Sequence, residues 1–590
     1  MSATAAVLEC AETVPHDEPN ESAPTWAVCT GDDTKATVSG FEVRRYAESS
    51  IFALWRKSTD DSPEVRIGSG LWVRGMARDA EGLGWCHVVA FVDCDCTLRQ
   101  WLMPRELLAA DRSDLIRHLL GRGYDAVLSK EARDGLVAYL GATPKDRFTT
   151  VTSIGWHGES FVLPDRAIGP GAYLLAATPA AATLPGGTID RWRKHVALPC
   201  RGNTRLTFAL SLAFASPLLA VDGMESGGVH LVGGSSVGKS TAAHVARSAW
   251  GVELQSWRAT DNGLEGVAAR HSDVGLVLDE IGQVDGRIVG EVAYMLANGQ
   301  GKGRAARDGG DRARLSWRLL FLSTGETTLA KHMGDSGKRA RAGQELRLVS
   351  IEADAGAGMG LFENIHGLPA PAAFADRLVE ACKANHGHAG PKFVERLVAD
   401  IAGARTIIEQ VRTRFDRDIG LDDADGQVQR VARRFALIAA AGELATEYGL
   451  TGWAPGTAIG SAIECFGAWR ASWAPAGSRE AERAIEAVVS FLQTQASRFQ
   501  TRDHDAERHP IRDRAGFVIQ GEPDEWLIYP STFREEVCNG LRVEQVTEAL
   551  ISLGHLTPGS DGKRQIQRRA DGRSQRFYVV RGSVLEGGRV

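Results

Sequence analysis

Gly233-Gly-Ser-Ser-Val-Gly-Lys-Ser240 constrains this chain more than any other feature, because the run G-x-x-x-x-G-K-S is productive in one local geometry only. The geometry is a strand that ends, a loop whose amides turn inward, and a helix that begins. The flanks agree with it: apolar Val229-His-Leu-Val232 reads as the strand, and a helix is predicted from Thr241. Gly233, Gly234 and Gly238 allow the backbone to aim N–H groups at phosphate oxygens, with Ser235, Ser236 and Val237 completing the loop and Thr241 the cradle. Lys239 supplies a mobile cation for the β- and γ-phosphates, and the Ser240 hydroxyl is placed to reach Mg²⁺. ATP with Mg²⁺ is the expected ligand.

Hydrolysis needs carboxylates at the end of a neighbouring buried strand. Val274-Gly-Leu-Val-Leu-Asp279-Glu280 provides them: Asp279 is expected to hold Mg²⁺ through its hydration shell, and Glu280 to act as the general base that aligns water on the γ-phosphate. A third apolar run, Leu319-Leu-Phe-Leu322, ends in Ser323 and Thr324. Either hydroxyl could sense the γ-phosphate or its water, and a plain strand-end turn explains them equally well. Beyond it, Lys338-Arg-Ala-Arg341-Ala-Gly-Gln-Glu-Leu-Arg347 offers arginines that could stabilise transition-state charge at a neighbouring subunit's nucleotide, Arg341 first and Arg347 second; a solvated basic loop is the alternative.

Two basic segments are candidate nucleic-acid contacts. The glycine-rich insert 299–314 carries Lys302, Arg304, Arg307, Arg312 and Arg314, and its place before the third strand suits a hairpin gripping a phosphate backbone, with an exposed loop as the bland reading. Near the C-terminus, Lys563, Arg564, Arg568 and Arg569, followed by Arg573 and Arg576, surround a β-like run preceded by three helices. That order suggests a winged helix-turn-helix, a fold that also serves protein contacts. The helix before it, with Glu544, Gln545 and Glu548, is not basic.

The rest of the chain sets limits. Its 590 residues far exceed what one hydrophobic core organises, so several domains are expected. A flexible tail is expected over 1–38, an N-terminal α/β or α+β domain over 39–187, the P-loop core over 188–365, a helical bundle over 366–479 with a flexible glycine-rich junction before it, and the winged-helix-like region over 480–590. A net charge of -6 gives no general attraction to nucleic acid, so binding must come from local clusters. Nine scattered cysteines favour reduced thiols and a cytoplasmic protein, and Cys94-Asp-Cys96 with Cys86 and His87 lacks the spacing of a zinc site. Leu206 to Val221 is too short and too interrupted to span a bilayer, so no membrane association is expected.

With these residues in view, the chain resembles the Cch-like helicases, P-loop ATPases of cassette chromosomes, phages and mobile elements related to AAA+ and MCM-type replicative helicases. The resemblance covers residues 40 to 365. It rests on Gly155-Trp-His-Gly158 with Phe161-Val-Leu-Pro164, Gly202-Asn-Thr-Arg-Leu, the P-loop, Leu278-Asp-Glu280, and Arg341-Ala-Gly-Gln-Glu-Leu-Arg347. It implies an AAA+-like core between an N-terminal domain and a C-terminal winged helix, assembled as a homo-hexamer that translocates on single-stranded or forked DNA. A loader, regulator or remodeller that hydrolyses ATP without unwinding is the competing expectation. Many AAA+ proteins place Asn where this chain has Ser323 and Thr324.

Overall fold

The computed structural model describes residues 26–28, 38–46, 52–60, 62–176, 185–258, 260–302, 304–305, 311–312, 314–338, 340–421, 425–473, 476–501, 511–559, 563–570 and 573–586. The chain divides into two compact units, 1–466 and 467–590. Most of the segment read as a tail lies outside the described residues. Among those residues, no helix is long and apolar enough to cross a membrane.

The first unit begins with an antiparallel sheet of β1 (Trp26–Val28), β2 (Phe41–Tyr46), β3 (Phe52–Arg56) and β4 (Val65–Ser69). A second sheet starts with the antiparallel run β5 (Leu71–Arg78), β6 (Cys86–Val92) and β7 (Leu98–Pro104). Every residue of β6 is buried, as its unbroken apolar sequence requires of a central strand. Helices α1 (Arg112–Leu120) and α2 (Lys130–Leu140) are started by Asp111 and Ser129, whose side chains accept the Ser113 and Ala132 amides. They close over a core that includes Val89, Phe91, Leu119, Leu136 and Tyr139. Strand β8 (Arg147–Val151) joins β5 in parallel; β9 (Gly155–His157), β10 (Ser160–Val162) and β11 (Ala167–Ile168) form a small separate sheet; β12 (Tyr173–Leu175) returns beside β8.

The P-loop region opens with α3 (Ile189–Trp192), α4 (Thr204–Ala215) and α5 (Leu218–Asp222), the last two separated at Ser216-Pro217. There follow β13 (Gly227–Val232), α6 (Lys239–Ser248), β14 (Gln255–Ser256), α7 (Asp261–Arg270), β15 (Leu276–Asp279), α8 (Val289–Asn298), β16 (Arg304–Ala305), β17 (Asp311–Arg312), β18 (Leu320–Gly325), α9 (Leu329–Asp335), α10 (Ala342–Glu345) and β19 (Leu348–Glu352). Five of these strands form one all-parallel sheet in the order β14-β15-β18-β13-β19. Helices cover both of its faces, so β13 and β18 are buried throughout. Helices α4 and α6 pack on one face; α7 and α8 enclose the other around Trp257, Leu276, Leu278 and Phe321.

Beyond β19, the glycine-rich segment 353–360 is not the loose junction its composition suggested. The Ala355 amide donates to Gly360 O at 2.9 Å, and the Leu361 amide to Val237 O, inside the P-loop, at 2.8 Å. Gly356, Gly358 and Gly360 all have positive φ, so the glycines serve a tight path rather than slackness. Helices α11 (Pro371–Ala384), α12 (Ala389–Ala399), α13 (Ile401–Ile419), α14 (Gly426–Glu447) and α15 (Thr457–Ser472) come next. The longest, α14, lies along α4, where Phe208 and Phe435 meet with ring centroids 5.0 Å apart.

The second unit contains α16 (Ala476–Thr494), β20 (Phe499–Thr501), β21 (Gly516–Ile519), β22 (Glu525–Ile528), α17 (Pro530–Thr532) continuing helically to Val537, α18 (Val543–Ser552), β23 (Leu556–Thr557), β24 (Ile566–Ala570), β25 (Arg573–Arg581) and α19 (Ser583–Glu586). The sheet runs β20-β21-β22-β25-β23, with β24 pairing β25 as an antiparallel hairpin. Val488, Leu492, Phe533, Val546, Leu550, Tyr578 and Val580 form its core. Among the described residues Cys86, Cys94, Cys200, Cys382, Cys465 and Cys538 are free thiols, and Cys96 is disulfide-bonded, where the sequence led us to expect reduced thiols.

Candidate functional site

The strand order decides which groups meet. Since β18 lies between β13 and β15, residues at its C-terminal end separate the P-loop from Asp279 and Glu280. Strand geometry then sorts the two hydroxyls, because successive side chains point to opposite faces. Thr324 takes the face of Asp279: its hydroxyl donates to Asp279 Oδ1 and accepts the Glu280 amide at 3.2 Å. Ser323 is turned to the other face and fully buried, where it meets His230 Nδ1 and Trp257 Nε1, each at 2.9 Å. Of the two sensor candidates, Thr324 alone stands beside the carboxylates.

In the P-loop itself, Ser236 (φ 64°) and Gly238 (φ 102°) carry the left-handed turns that curl the backbone. A Cβ at Gly238 would come within 3.2 Å of Leu361 Cβ and of the Phe362 ring, so the loop is pressed against the segment after β19. Lys239 is buried and its ammonium donates to the carbonyls of Gly233 and Gly234 at 2.7 and 2.6 Å, which centres the charge over the loop. Ser235, Ser236 and Ser240 are exposed, and Thr241 is buried. Ser240 heads α6 with no hydrogen-bond partner for its hydroxyl among the described residues, and Asp279 keeps one oxygen outside the Thr324 bond. An exposed hydroxyl near the start of α6 and a part-buried carboxylate oxygen at the end of β15 are hard-oxygen donors of the kind Mg²⁺ takes. Glu280 has φ 57°, rare for a non-glycine residue, and its Oε1 accepts the Gly282 amide at 3.1 Å.

Sequence reasoning missed the residues that hold these groups in place. Asn203 and Thr204 clasp the segment beyond the P-loop buttress: Asn203 Oδ1 accepts the amides of Glu363 and Asn364 at 2.8 and 3.0 Å, and the Thr204 hydroxyl donates to Glu363 Oε2 at 2.8 Å. At the opposite end of the sheet, the deeply buried Asp273 takes Arg318 in a two-pronged pair at 2.8 and 2.9 Å and the Trp156 amide at 3.0 Å. Burial pushes the Asp273 carboxyl above the usual carboxylate range, against the pull of Arg318. Gly155 must be glycine, because a Cβ there would strike the Asp273 carboxylate. The Gly-Trp-His-Gly and Gly-Asn-Thr-Arg motifs were legible as motifs; their partners were not.

Arg341 is exposed, and its amide donates to Gln344 Oε1 at 2.9 Å. Arg347 instead donates to Gly343 O at 3.0 Å and lies 4.3 Å from the centroid of the half-exposed Tyr294 ring. It precedes β19 at the end remote from the P-loop, about 16 Å along the strand at 3.3 Å per residue, which sets Arg347 apart from this chain's own loop.

The insert before β18 is a hairpin: β16 and β17 pair antiparallel, with Arg304 opposite Arg312. Arg307 lies outside the described residues. Lys302 is exposed, and its amide donates to buried Glu265 at 3.1 Å. Arg314 is spent on the neck, donating to Gly301 O at 2.6 Å and Gln300 Oε1 at 3.1 Å. In the second unit, the β24–β25 register puts Gln567 opposite Arg576 and Arg569 opposite Ser574, and all four are exposed. Lys563 and Arg573 are exposed too, while Arg564 and Arg568 are half-buried. Helix α18 presents Glu544 and Glu548 to solvent.

Residues 46–316 match a family described as a domain of unknown function, DUF927. No curated protein matches the sequence. Among solved structures, one described as "SCCmec type IV Cch - active helicase" aligns with 94% of this chain and 100% of its own at a TM-score of 0.62 and 19% identity. NtrX from Brucella abortus, solved with ADP and with ATP, aligns with 43% and 46% of the chain at 13% and 14% identity and a TM-score of 0.18 in each case. The Cch-like relationship read from the motifs therefore holds at the level of the fold, along nearly the whole chain.

Proposed function

We propose that this chain hydrolyses ATP at the P-loop and uses the energy to translocate on and unwind single-stranded or forked DNA, as a homo-hexameric ring serving the replication of a mobile genetic element. The observation that carries the reading is the insertion of β18 between the P-loop strand and the acidic strand, with Thr324 binding both Asp279 and the Glu280 amide. A site for passive nucleotide storage has no need of a second carboxylate held in a left-handed backbone. In this reading the core is AAA+-like and the second unit winged-helix-like. Gly233, Gly234, Ser235, Ser236, Val237 and Gly238 wrap the phosphates; Lys239 leaves its carbonyl partners for the γ-phosphate; Thr241 supports the cradle. Ser240 and Asp279 would hold Mg²⁺, which would supply neutralisation of phosphate charge. Glu280 takes the proton of the attacking water. Arg341, exposed at the head of α10, is the better candidate for a neighbour's nucleotide, and Arg347 the second.

The nearness in sequence of the basic hairpin to β18 supports coupling to DNA. Arg304 and Arg312 pair in the hairpin that precedes β18, so nucleic acid held there would act on the segment that leads into the strand carrying Thr324. The alternative, a loader or remodeller without unwinding, draws support from α18, whose exposed Glu544 and Glu548 repel a phosphate backbone where a reading helix would meet it. Lys563, Arg564, Arg568 and Arg569 then leave only backbone contact to the second unit. ATP hydrolysis measured with and without single-stranded DNA tests the shared premise. Turnover that rises with DNA, and is lost in Lys239→Ala, supports both readings; turnover that Lys239→Ala leaves intact refutes both.

A further inference from the structure

The described part of the molecule contains one buried ionisable side chain that touches both the P-loop strand and the loop behind the carboxylates. His230, near the end of β13, is fully buried. Its Nδ1 lies 2.9 Å from Ser323 Oγ and its Nε2 3.0 Å from Thr327 O. Ser323 Oγ also receives the Trp257 indole at 2.9 Å. Donor and acceptor capacities fix every proton in this chain. A carbonyl only accepts, so His230 Nε2 carries the hydrogen; a neutral ring then leaves Nδ1 bare, and the Ser323 hydroxyl donates to it while accepting from Trp257. Charging the ring would set two N–H donors against one serine oxygen and strand the serine proton. Burial, with the Lys239 charge as a lesser contributor, holds the ring neutral by pushing it down to about 4.

What the network supports is the turn after Thr324. A Cβ on Gly325 would lie 2.6 Å from Ile281 Cγ2 and 3.1 Å from His230 Cε1, so this glycine is squeezed between the histidine ring and the residue that follows Glu280. The Gly325 carbonyl accepts the Gly233 amide, the first of the P-loop, at 3.2 Å. Thr327, held by the ring, leads into Thr328, whose side chain caps α9. Thus one ring braces the P-loop entry, the base of Glu280 and the Thr324 hook from the face of the sheet opposite the carboxylates.

We propose that His230 is a positioning residue for ATP hydrolysis, which acts through Gly325 and Thr327 to hold Thr324 and Glu280 at the working distance from the γ-phosphate, with Ser323 and Trp257 fixing its tautomer. The proposal rests on the hydrolytic reading above. Because His230 lies behind the site, its loss is expected in the chemical step and not in nucleotide affinity; misplacement by about 1 Å costs up to about 100-fold in rate.

The test uses the full chain and compares kcat for ATP with the Kd of a fluorescent ADP analogue. His230→Leu is expected to lower kcat about 30-fold or more with Kd within about threefold, and His230→Gln, which can still donate to Thr327 O, to recover to within about fivefold of wild type. Ser323→Ala, which nearly preserves volume, is expected to lower kcat at unchanged Kd, as is Trp257→Phe, which removes the indole N–H; Ser323→Ala carries the test should His230→Leu fail to fold. Parallel loss of kcat, affinity and thermal stability, with Gln no better than Leu, would reduce His230 to a packing residue and overturn the proposal. So would wild-type kcat in His230→Leu. Absence of turnover in the wild type would instead overturn the hydrolytic reading itself.

Discussion

Replacing Thr324 by valine keeps the branched shape and removes one hydroxyl, which makes it the cleanest perturbation of the hydrolytic geometry. Two bonds disappear: the donation to Asp279 and the acceptance of the Glu280 amide at 3.2 Å. A hydrogen bond to a charged group contributes about 1.5–3 kcal/mol; Asp279 is only part-buried, so water recovers some of this and a stability loss of about 1–2 kcal/mol is expected. The kinetic effect is larger. Glu280 sits in a left-handed conformation that costs about 1–3 kcal/mol to maintain, and the Thr324 bond to its amide helps to secure it, beside the Gly282 amide on Oε1 and the Gln283 amide on its carbonyl. Once released, the carboxylate wanders from the line of attack, and kcat is expected to fall about 30- to 100-fold. Steady-state ATPase assays with Thr324→Val and Thr324→Ser, alongside nucleotide titrations, read this directly. Serine retains the hydroxyl and is expected to stay within about fivefold of wild type, with affinity changed little in either variant. A valine variant that turns over at the wild-type rate would refute the reasoning.

Three further outcomes follow from the same geometry. Asp273→Ala leaves the half-exposed Arg318 and the Trp156 amide without their partner, and since water reaches Arg318 equilibrium denaturation of the full chain is expected to show a loss of about 1–3 kcal/mol; a loss near zero would mean the contact is not made in solution. His230 titrates near 4 when folded against 6.5 when unfolded, so below pH 6.5 the unfolded chain binds the extra proton and stability drains as pH falls. At about 1.4 kcal/mol per pH unit, wild type should lose about 2 kcal/mol more than His230→Gln between pH 7 and pH 5, and parallel stability profiles would contradict a buried neutral ring. On the β24–β25 hairpin, Arg569→Ala with Arg576→Ala is expected to weaken DNA binding and to flatten the salt slope by about two, whereas an unchanged slope would move the phosphate contacts elsewhere.

The strand, loop and helix of the candidate site were legible because their geometry is local. Glycines, lysine and serine at fixed spacing, between an apolar strand and a helix, leave little freedom. The choice between Ser323 and Thr324 was not legible, since both faces of a fully covered parallel strand are apolar and the alternation alone does not say which face holds the carboxylates. The order β15-β18-β13 supplies that, and strand order is a property of long-range pairing. Glycine content misled at 353–360, where composition reads as slackness and the backbone instead turns sharply against Val237. His230 was invisible for a related reason: within Val-His-Leu-Val it reads as one polar interruption of a strand, and only the register with Ser323 gives it a role. The acidic surface of α18 was visible in the sequence, but its exposure had to come from the packing of Val546, Thr547 and Leu550 inward.

The central claim is that hydrolysis at this one site drives strand separation. The most direct measurement is displacement of a labelled strand from forked DNA with ATP, by wild type, Lys239→Ala and Glu280→Gln, with turnover recorded on the same samples. The account predicts unwinding by the wild type and its loss in both variants, Lys239→Ala through failure to engage the γ-phosphate and Glu280→Gln with nucleotide still bound. Robust wild-type turnover without displacement on any fork would contradict it, and leave a loader or remodeller.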